Sequence, residues 1–359
     1  MYFFILHLSS FILFPMPPSF FHHLHPPTIP TAQARWRHTL AAGGTAIFLM
    51  LILGVTGILE MFYYAPNPAE AALSVQTITY HVPFGGFIRN LHYWAAQALI
   101  VVSAVHFLRV IFTAAYGHPR RFNYLLGLAL FVVSIMLDFT GYILRWDVDI
   151  CWPLTTGTNL LKTIPVIGDF LYRIAVGGNE VCETALLRFY TWHIFGLTIL
   201  VVILGVWHAF RVRRDGGIAV PPPQLRADVT RIPRDELVRR EVLTMFIVSI
   251  GLILLSIFVP APIAAAMSVS IRESVTESVD VRAPWFFLWV QQMLKWGDPF
   301  IFGVLIPSII LALLALIPYI FPQPNEAEIG SWFPKSNRLA QIIVAIIGTI
   351  IIILTFINR

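Results

Sequence analysis

Charge is scarce in this sequence. Asp, Glu, Lys and Arg make up 12% of the 359 residues, while 57% are hydrophobic. That balance excludes a soluble domain and describes a polytopic membrane protein. Cysteine is scarcer still: only Cys151 and Cys182 occur. There is no Cys-x-x-Cys-His run, so covalent c-type haem attachment is not indicated, and no zinc-type cluster is present. Histidine stops at His208, so any histidine-held cofactor belongs to the first half of the chain. The net charge of +5 lies between apolar runs. It reports topology and gives no sign of nucleic-acid binding.

Long apolar runs are plentiful. Seven can span a bilayer, at about 40–64, 88–114, 123–145, 188–210, 242–262, 299–321 and 337–357. Each reads as a helix, because an open strand cannot satisfy its backbone in lipid. The expected fold class is an all-α polytopic membrane protein with seven transmembrane helices. Its expected divisions are an N-terminal cytoplasmic or surface segment (1–37), a four-helix part (38–212), a cytoplasmic linker (213–240) containing Pro221-Pro222-Pro223, and a three-helix part (241–359).

Seven spans put the termini on opposite sides. Arg35, Arg37, Arg120, Arg121, Lys335, Arg338 and the Arg-rich linker share the N-terminal side. That side is expected to face the cytoplasm, with the C-terminus in the periplasm of a bacterial inner membrane. Met1–Phe14 is apolar but short and reads as a surface-lying segment or a misassigned start. His22, His23 and His25 read as solvated. Two outer loops, about 146–187 and 263–298, are long enough to carry function or to form lids. Cys151 and Cys182 share the first, and an oxidising outer compartment favours a disulfide between them.

Four histidines sit inside apolar runs: His92 and His106 on the second, His193 and His208 on the fourth. Imidazoles in lipid are costly unless something binds them. The first pair is 14 residues apart and the second 15. At about 100° and 1.5 Å per residue, each pair falls near one helix face and spans roughly 21–23 Å. Two such helices side by side make two tiers, each able to clamp a planar metal cofactor, within a core about 30 Å thick. That is the geometry of a membrane dihaem cytochrome.

Glycine repeats the interval. Gly43 and Gly57 are 14 apart on the first run, and Gly127 and Gly141 are 14 apart on the third. A missing side chain lets a flat macrocycle approach the backbone; close helix packing is the plainer alternative. Arg89 precedes His92 by three residues, Arg109 follows His106 by three, and Arg188 precedes His193 by five. Each can pair with an anionic haem propionate, in competition with snorkelling at a helix end. Asp138 lies in an apolar run three residues before Gly141, which makes it a functional candidate.

Further residues complete a pattern: Thr56-Gly57, Arg89-x-x-His92, His106-x-x-Arg109, Pro119-Arg120-x-Phe122-Asn123, Thr140-Gly141-Tyr142, Trp146, Thr158-Asn159-Leu160 and Arg188-Phe189. With them the chain resembles cytochrome b of the quinol-oxidising bc and bf complexes, from Arg35 to Asn358. The 15-residue step between His193 and His208 resembles the plastid and bacterial short form, with the last three helices similar to its subunit IV.

The resemblance implies two haem b, one held by His92 and His193 near the outer face, one by His106 and His208 near the cytoplasm. It implies quinone or quinol as substrate at an outer and an inner site, and catalysis as part of a quinol:acceptor oxidoreductase complex. It further implies a homodimer, a Rieske iron–sulfur protein or c-type cytochrome partner (multihaem forms included), and surrounding membrane lipid.

There are departures. The family's Pro-Glu-Trp-Tyr at the outer quinone site is replaced by Ala283-Pro284-Trp285-Phe286, so the carboxylate is absent. Arg145 stands where a proline is usual, Pro153 takes a usual small-residue position, and Ala41 stands where the plastid form attaches an extra haem. Asp138, Trp285 and Phe286 are the outer-site candidates, with Glu60, Glu273, Glu277 and Asp280 as further carboxylates on that side. Three functions follow as alternatives. The first is a redox subunit that oxidises quinol. The second is a haem-bearing conduit linking a multihaem cytochrome or dehydrogenase to the quinone pool. The third is a non-redox proton-coupled transporter.

Overall fold

The computed structural model describes residues 27–181, 183–220, 230–266 and 282–357. Seven helices among them are long and apolar enough to cross a membrane: α1 (Ala42–Met61), α2 (Gly85–Phe112), α3 (Arg121–Ile143), α4 (Thr184–Arg214), α5 (Arg234–Phe258), α6 (Ile301–Ile320) and α7 (Lys335–Ile357). The protein is an all-α, multi-pass membrane protein, as the apolar runs indicate. Many Leu, Ile, Val and Phe side chains on these helices are exposed, which suits contact with lipid tails. α5 begins well before its apolar run. Its first turns are polar, with Arg239 paired to Asp235 and Arg240 to Glu236 (3.1 and 2.8 Å).

α1 packs on α2 around Leu49, Ala95 and Leu99, with Leu252 of α5 closing the cluster. α3 packs on α4. The later helices are tied to these by polar side chains. The last carbonyls of α5 lack intrahelical partners, and lipid offers none. Asn90 and Trp94 of α2 donate to the Ser256 and Val259 carbonyls (2.9 and 2.8 Å), and Asn90 accepts from the Ala261 amide (2.9 Å). At the other end, Asn337 donates to the Ile111 carbonyl (2.8 Å) and accepts from the Tyr116 hydroxyl.

On the N-terminal side a short antiparallel ladder joins β1 (Thr28–Pro30) to β2 (Arg231–Pro233), with Ile29 opposite Ile232. The apolar-run reading made every spanning element a helix, and the ladder respects it by lying outside the spans. Trp332 donates to the Arg37 carbonyl there (3.0 Å), so the α6–α7 loop shares that side. On the far side, short helices Cys151–Lys162 and Gly168–Val176 pack around Ile143, Trp146, Ile150, Leu154 and Tyr172. The two long loops meet there: the Val148 amide donates to the Ala265 carbonyl (3.1 Å), and the Ala264 amide to Asp147 (3.2 Å). Cys151 is fully buried. Cys182 lies outside the described residues, as do His22, His23, His25, Pro221-Pro222-Pro223, Glu273, Glu277 and Asp280.

Candidate functional site

α1 and α3 run away from the N-terminal side while α2 and α4 run back. His92 and His193 therefore share the far-side half of the bundle, and His106 and His208 the near-side half. The His92 and His193 rings face each other with centroids 6.4 Å apart, and His106 and His208 repeat that 6.4 Å. Two imidazoles binding one metal from opposite sides, with metal–nitrogen bonds of about 2 Å, have a similar separation.

Hydrogen bonding selects the ligating nitrogen. The Thr56 hydroxyl donates to the Ile52 carbonyl (2.8 Å) and so accepts from Nδ1 of His92 (2.8 Å). Nδ1 of His193 donates to the Leu137 carbonyl (3.0 Å) beside the Thr140 hydroxyl (3.1 Å), and Nδ1 of His208 to the Asn123 carbonyl (3.2 Å). With Nδ1 carrying the proton, the Nε2 lone pair is left for a metal. Nδ1 of His106 is buried without a partner. The threonine contacts were not recognised in the sequence. Their signal was the Thr-Gly dipeptide recurring at 56–57 and 140–141.

Each glycine faces one imidazole. A Cβ on Gly43 would lie 3.4 Å from Cε1 of His106, on Gly57 3.2 Å from His92, on Gly127 3.2 Å from His208, and on Gly141 2.7 Å from His193. The sequence reading assigned these glycines to the approach of a macrocycle. In the structure the missing side chains make room for the rings themselves. These cradles, with the ring separation, fit two bis-imidazole cofactors.

The arginines are placed differently. Arg89 is buried and donates to the Ala261 and Pro262 carbonyls beyond the end of α5 (3.3 and 2.5 Å). Arg109 is buried and donates to the carbonyls of His38 and Ala219 (3.1 and 3.2 Å), and Nε2 of His38 donates to the same Ala219 carbonyl (2.5 Å). Arg188 is exposed and packs against Gly177. Backbone carbonyls thus occupy Arg89 and Arg109, because these carbonyls lie where the chain leaves regular helix.

Asp138 meets Trp285 through a residue that the sequence reading passed over. Trp285 Nε1 donates to Oε1 of Gln97 (2.6 Å), and Gln97 Nε2 lies 3.2 and 3.1 Å from the two oxygens of Asp138. Phe286 packs edge-on against Trp285, Phe287 against Phe286, and Phe287 against Phe139. Glu60, at the far end of α1, keeps Oε1 buried without a partner near Arg89. The available signal for Gln97 was one polar residue in mid-span, five after His92. Near the N-terminal side an apolar cleft of about 170 Å³ opens among Leu40, Thr45, Val101, Val105, Thr244 and Val248.

A multi-pass helical bundle with facing imidazole pairs defines a membrane electron-transfer protein. The family described as cytochrome b/b6/petB matches residues 31–216. Cytochrome b6 of Heliomicrobium gestii is 37% identical over 183 residues, covering 50% of this chain and 86% of that protein. Cytochrome b6 of Synechococcus sp. (strain WH7803) is 33% identical over 174 residues, covering 48% and 80%. A solved structure titled "Hyperthermophilic respiratory Complex III" is similar with a TM-score of 0.69 and 19% identity, over 89% of this chain and 92% of that one, a likeness of fold. The chain belongs to the cytochrome b/b6 family: it is a haem b-binding electron-transfer subunit of the kind found in bc and b6f oxidoreductase complexes.

Proposed function

We propose that the chain holds two b-type haems, between His92 and His193 and between His106 and His208, and moves electrons across the membrane between quinol or quinone and partner redox subunits. The observation that carries this is the repeated 6.4 Å imidazole pair, with a glycine against each ring. Each haem, when bound, supplies reversible one-electron chemistry at iron. The protein's residues orient the imidazoles through Nδ1, keep water from the tiers and place polar groups at the membrane faces.

In this reading the far side is the periplasmic face of a bacterial inner membrane, the N-terminal side is cytoplasmic, and Cys151 pairs with Cys182. Quinol at the far side gives up two electrons and two protons. One electron crosses the bundle, and the other goes to a Rieske protein or a c-type cytochrome, multihaem forms included. The near-side cleft takes a quinone at the inner end. The functional unit is a homodimer within the larger complex. Proline at 284, where the family carries Glu, favours a second reading: an electron conduit without far-side quinol oxidation. The line from Trp285 through Gln97 to Asp138 favours the first, because it brings a carboxylate to the altered motif. Membership of the cytochrome b/b6 family removes the non-redox transporter.

The test is haem stoichiometry and quinol oxidation in the purified complex. Two b-type haems per chain are expected, one lost in His92 or His193 variants and the other in His106 or His208 variants. A single haem per fully loaded chain overturns the two-tier reading. Two haems without far-side quinol oxidation, all partners being present, select the conduit.

A further inference from the structure

Gln97 has a side chain with two faces. Its carbonyl accepts and its amide donates, and its neighbours leave one orientation. An indole N–H only donates, so Trp285 must meet Oε1; an ionised carboxylate only accepts, so Asp138 must meet Nε2. The observed distances, 2.6 Å on the Trp285 side and 3.1 and 3.2 Å on the Asp138 side, match that polarity. The three residues come from three separate elements: α2, α3 and the segment preceding α6. Helix packing brings α2 and α3 together, and the side chain of Gln97 joins the Trp285 segment to Asp138. Among the described residues, the phenol of Tyr93, one turn earlier on α2, interacts electrostatically with Asp138 and with Arg145 and Arg89.

We infer that Gln97 is a positioning residue for the far-side quinone site: it fixes the Asp138 carboxylate and the Trp285 indole in one register, so that a carboxylate on α3 serves a motif that lacks its own. This rests on the reading of the far side as a quinol-oxidising site. It makes the pair Gln97 and Asp138, on two spanning helices, the counterpart of a single loop glutamate. A longer reach from the loop is bridged by an amide, which carries orientation without adding charge.

The experiment uses the complete complex in native membranes, with a soluble quinol as donor. Asp138→Asn is expected to lower turnover by roughly 100-fold or more. Gln97→Met removes both hydrogen bonds at similar length, and is expected to lower turnover by about 10-fold or more with both haems retained. Combining it with Asp138→Asn should cause no further loss. Gln97→Glu keeps an acceptor for Trp285 but sets a carboxylate against a carboxylate. The acid limb of its pH–rate profile should move to higher pH, because neighbouring carboxylates hold a proton more tightly. A merely structural role for Gln97 would leave that limb in place. If Gln97→Met fails to bind haem, the near-isosteric Gln97→Glu decides alone. Full turnover in Asp138→Asn overturns the carboxylate's role. Impaired Asp138→Asn beside a wild-type rate and pH profile in both Gln97 variants overturns the positioning role only.

Discussion

Gly141 of α3 stands directly against His193 of α4: a Cβ at residue 141 would lie 2.7 Å from Cε1 of the imidazole. The equivalent distance is 3.2 Å at Gly57 and Gly127 and 3.4 Å at Gly43. The four sites therefore differ in how much a methyl group disturbs them. Gly141→Ala should displace His193 and lose or distort the far-side haem. Gly57→Ala and Gly127→Ala should perturb their tiers less. Gly43→Ala should be near neutral, since Ala is otherwise preferred in a helix by about 0.5–1 kcal/mol. Haem content and reduced-minus-oxidised spectra of the four variants check the order; a Gly43 variant worse than the Gly141 variant would refute it.

Asp138 offers a test from the opposite direction. Pro284 stands where the resemblance to cytochrome b implies a Glu, and a general base must lie within hydrogen-bond reach of quinol, directly or through one water. Pro284→Glu in an Asp138→Asn background should recover part of the lost quinol oxidation, measured in membranes with partners present. No recovery, with both haems bound, would show that the loop no longer reaches the substrate.

The Arg145–Asp147 pair gives a stability prediction. Arg145 contacts Asp147 through Nε and Nη2 (2.8 and 2.5 Å) and Asp149 through Nη2 (3.2 Å), while Asp147 is only 2% exposed. Arg145→Leu leaves a buried carboxylate held by the Ala264 amide (3.2 Å), and should destabilise the fold by about 3–5 kcal/mol. Adding Asp147→Asn should recover part of the loss by removing the charge. Thermal unfolding in detergent measures both.

His38 predicts a pH response on the N-terminal side. Burial, with the nearby Arg109 guanidinium adding to it, holds its pKa below the ordinary 6.5, against an opposing hydrogen bond to Ala219. The unfolded chain then takes up a proton at a pH where the folded chain does not. Stability is therefore retained above 6.5 and falls as the pH drops below it. Melting curves between about pH 5 and 8 should show this slope, and His38→Gln should flatten it. An unchanged slope in the variant would assign it to other groups.

Much of this was legible in one dimension. Hydropathy alone determined seven spans, because lipid leaves a backbone no alternative to helix. Four histidines in those spans, with glycines at matching intervals, determined that the first four helices carry the site. The 15-residue step on α4 was the awkward part, since at about 100° per residue 14 and 15 residues end on faces about 100° apart. The tertiary structure resolves it with a π-helical turn at Trp192–Gly196, which contains His193. The wider turn absorbs the extra residue, and both histidine pairs come to face each other at the same distance. Folding in three dimensions likewise decided that Arg89 binds carbonyls beyond the end of α5, that threonines orient two imidazoles, and that Gln97 joins Trp285 to Asp138. Periodicity speaks only of neighbours a few residues apart, and these partners are separated by 36 to 188 residues, brought together by tertiary packing.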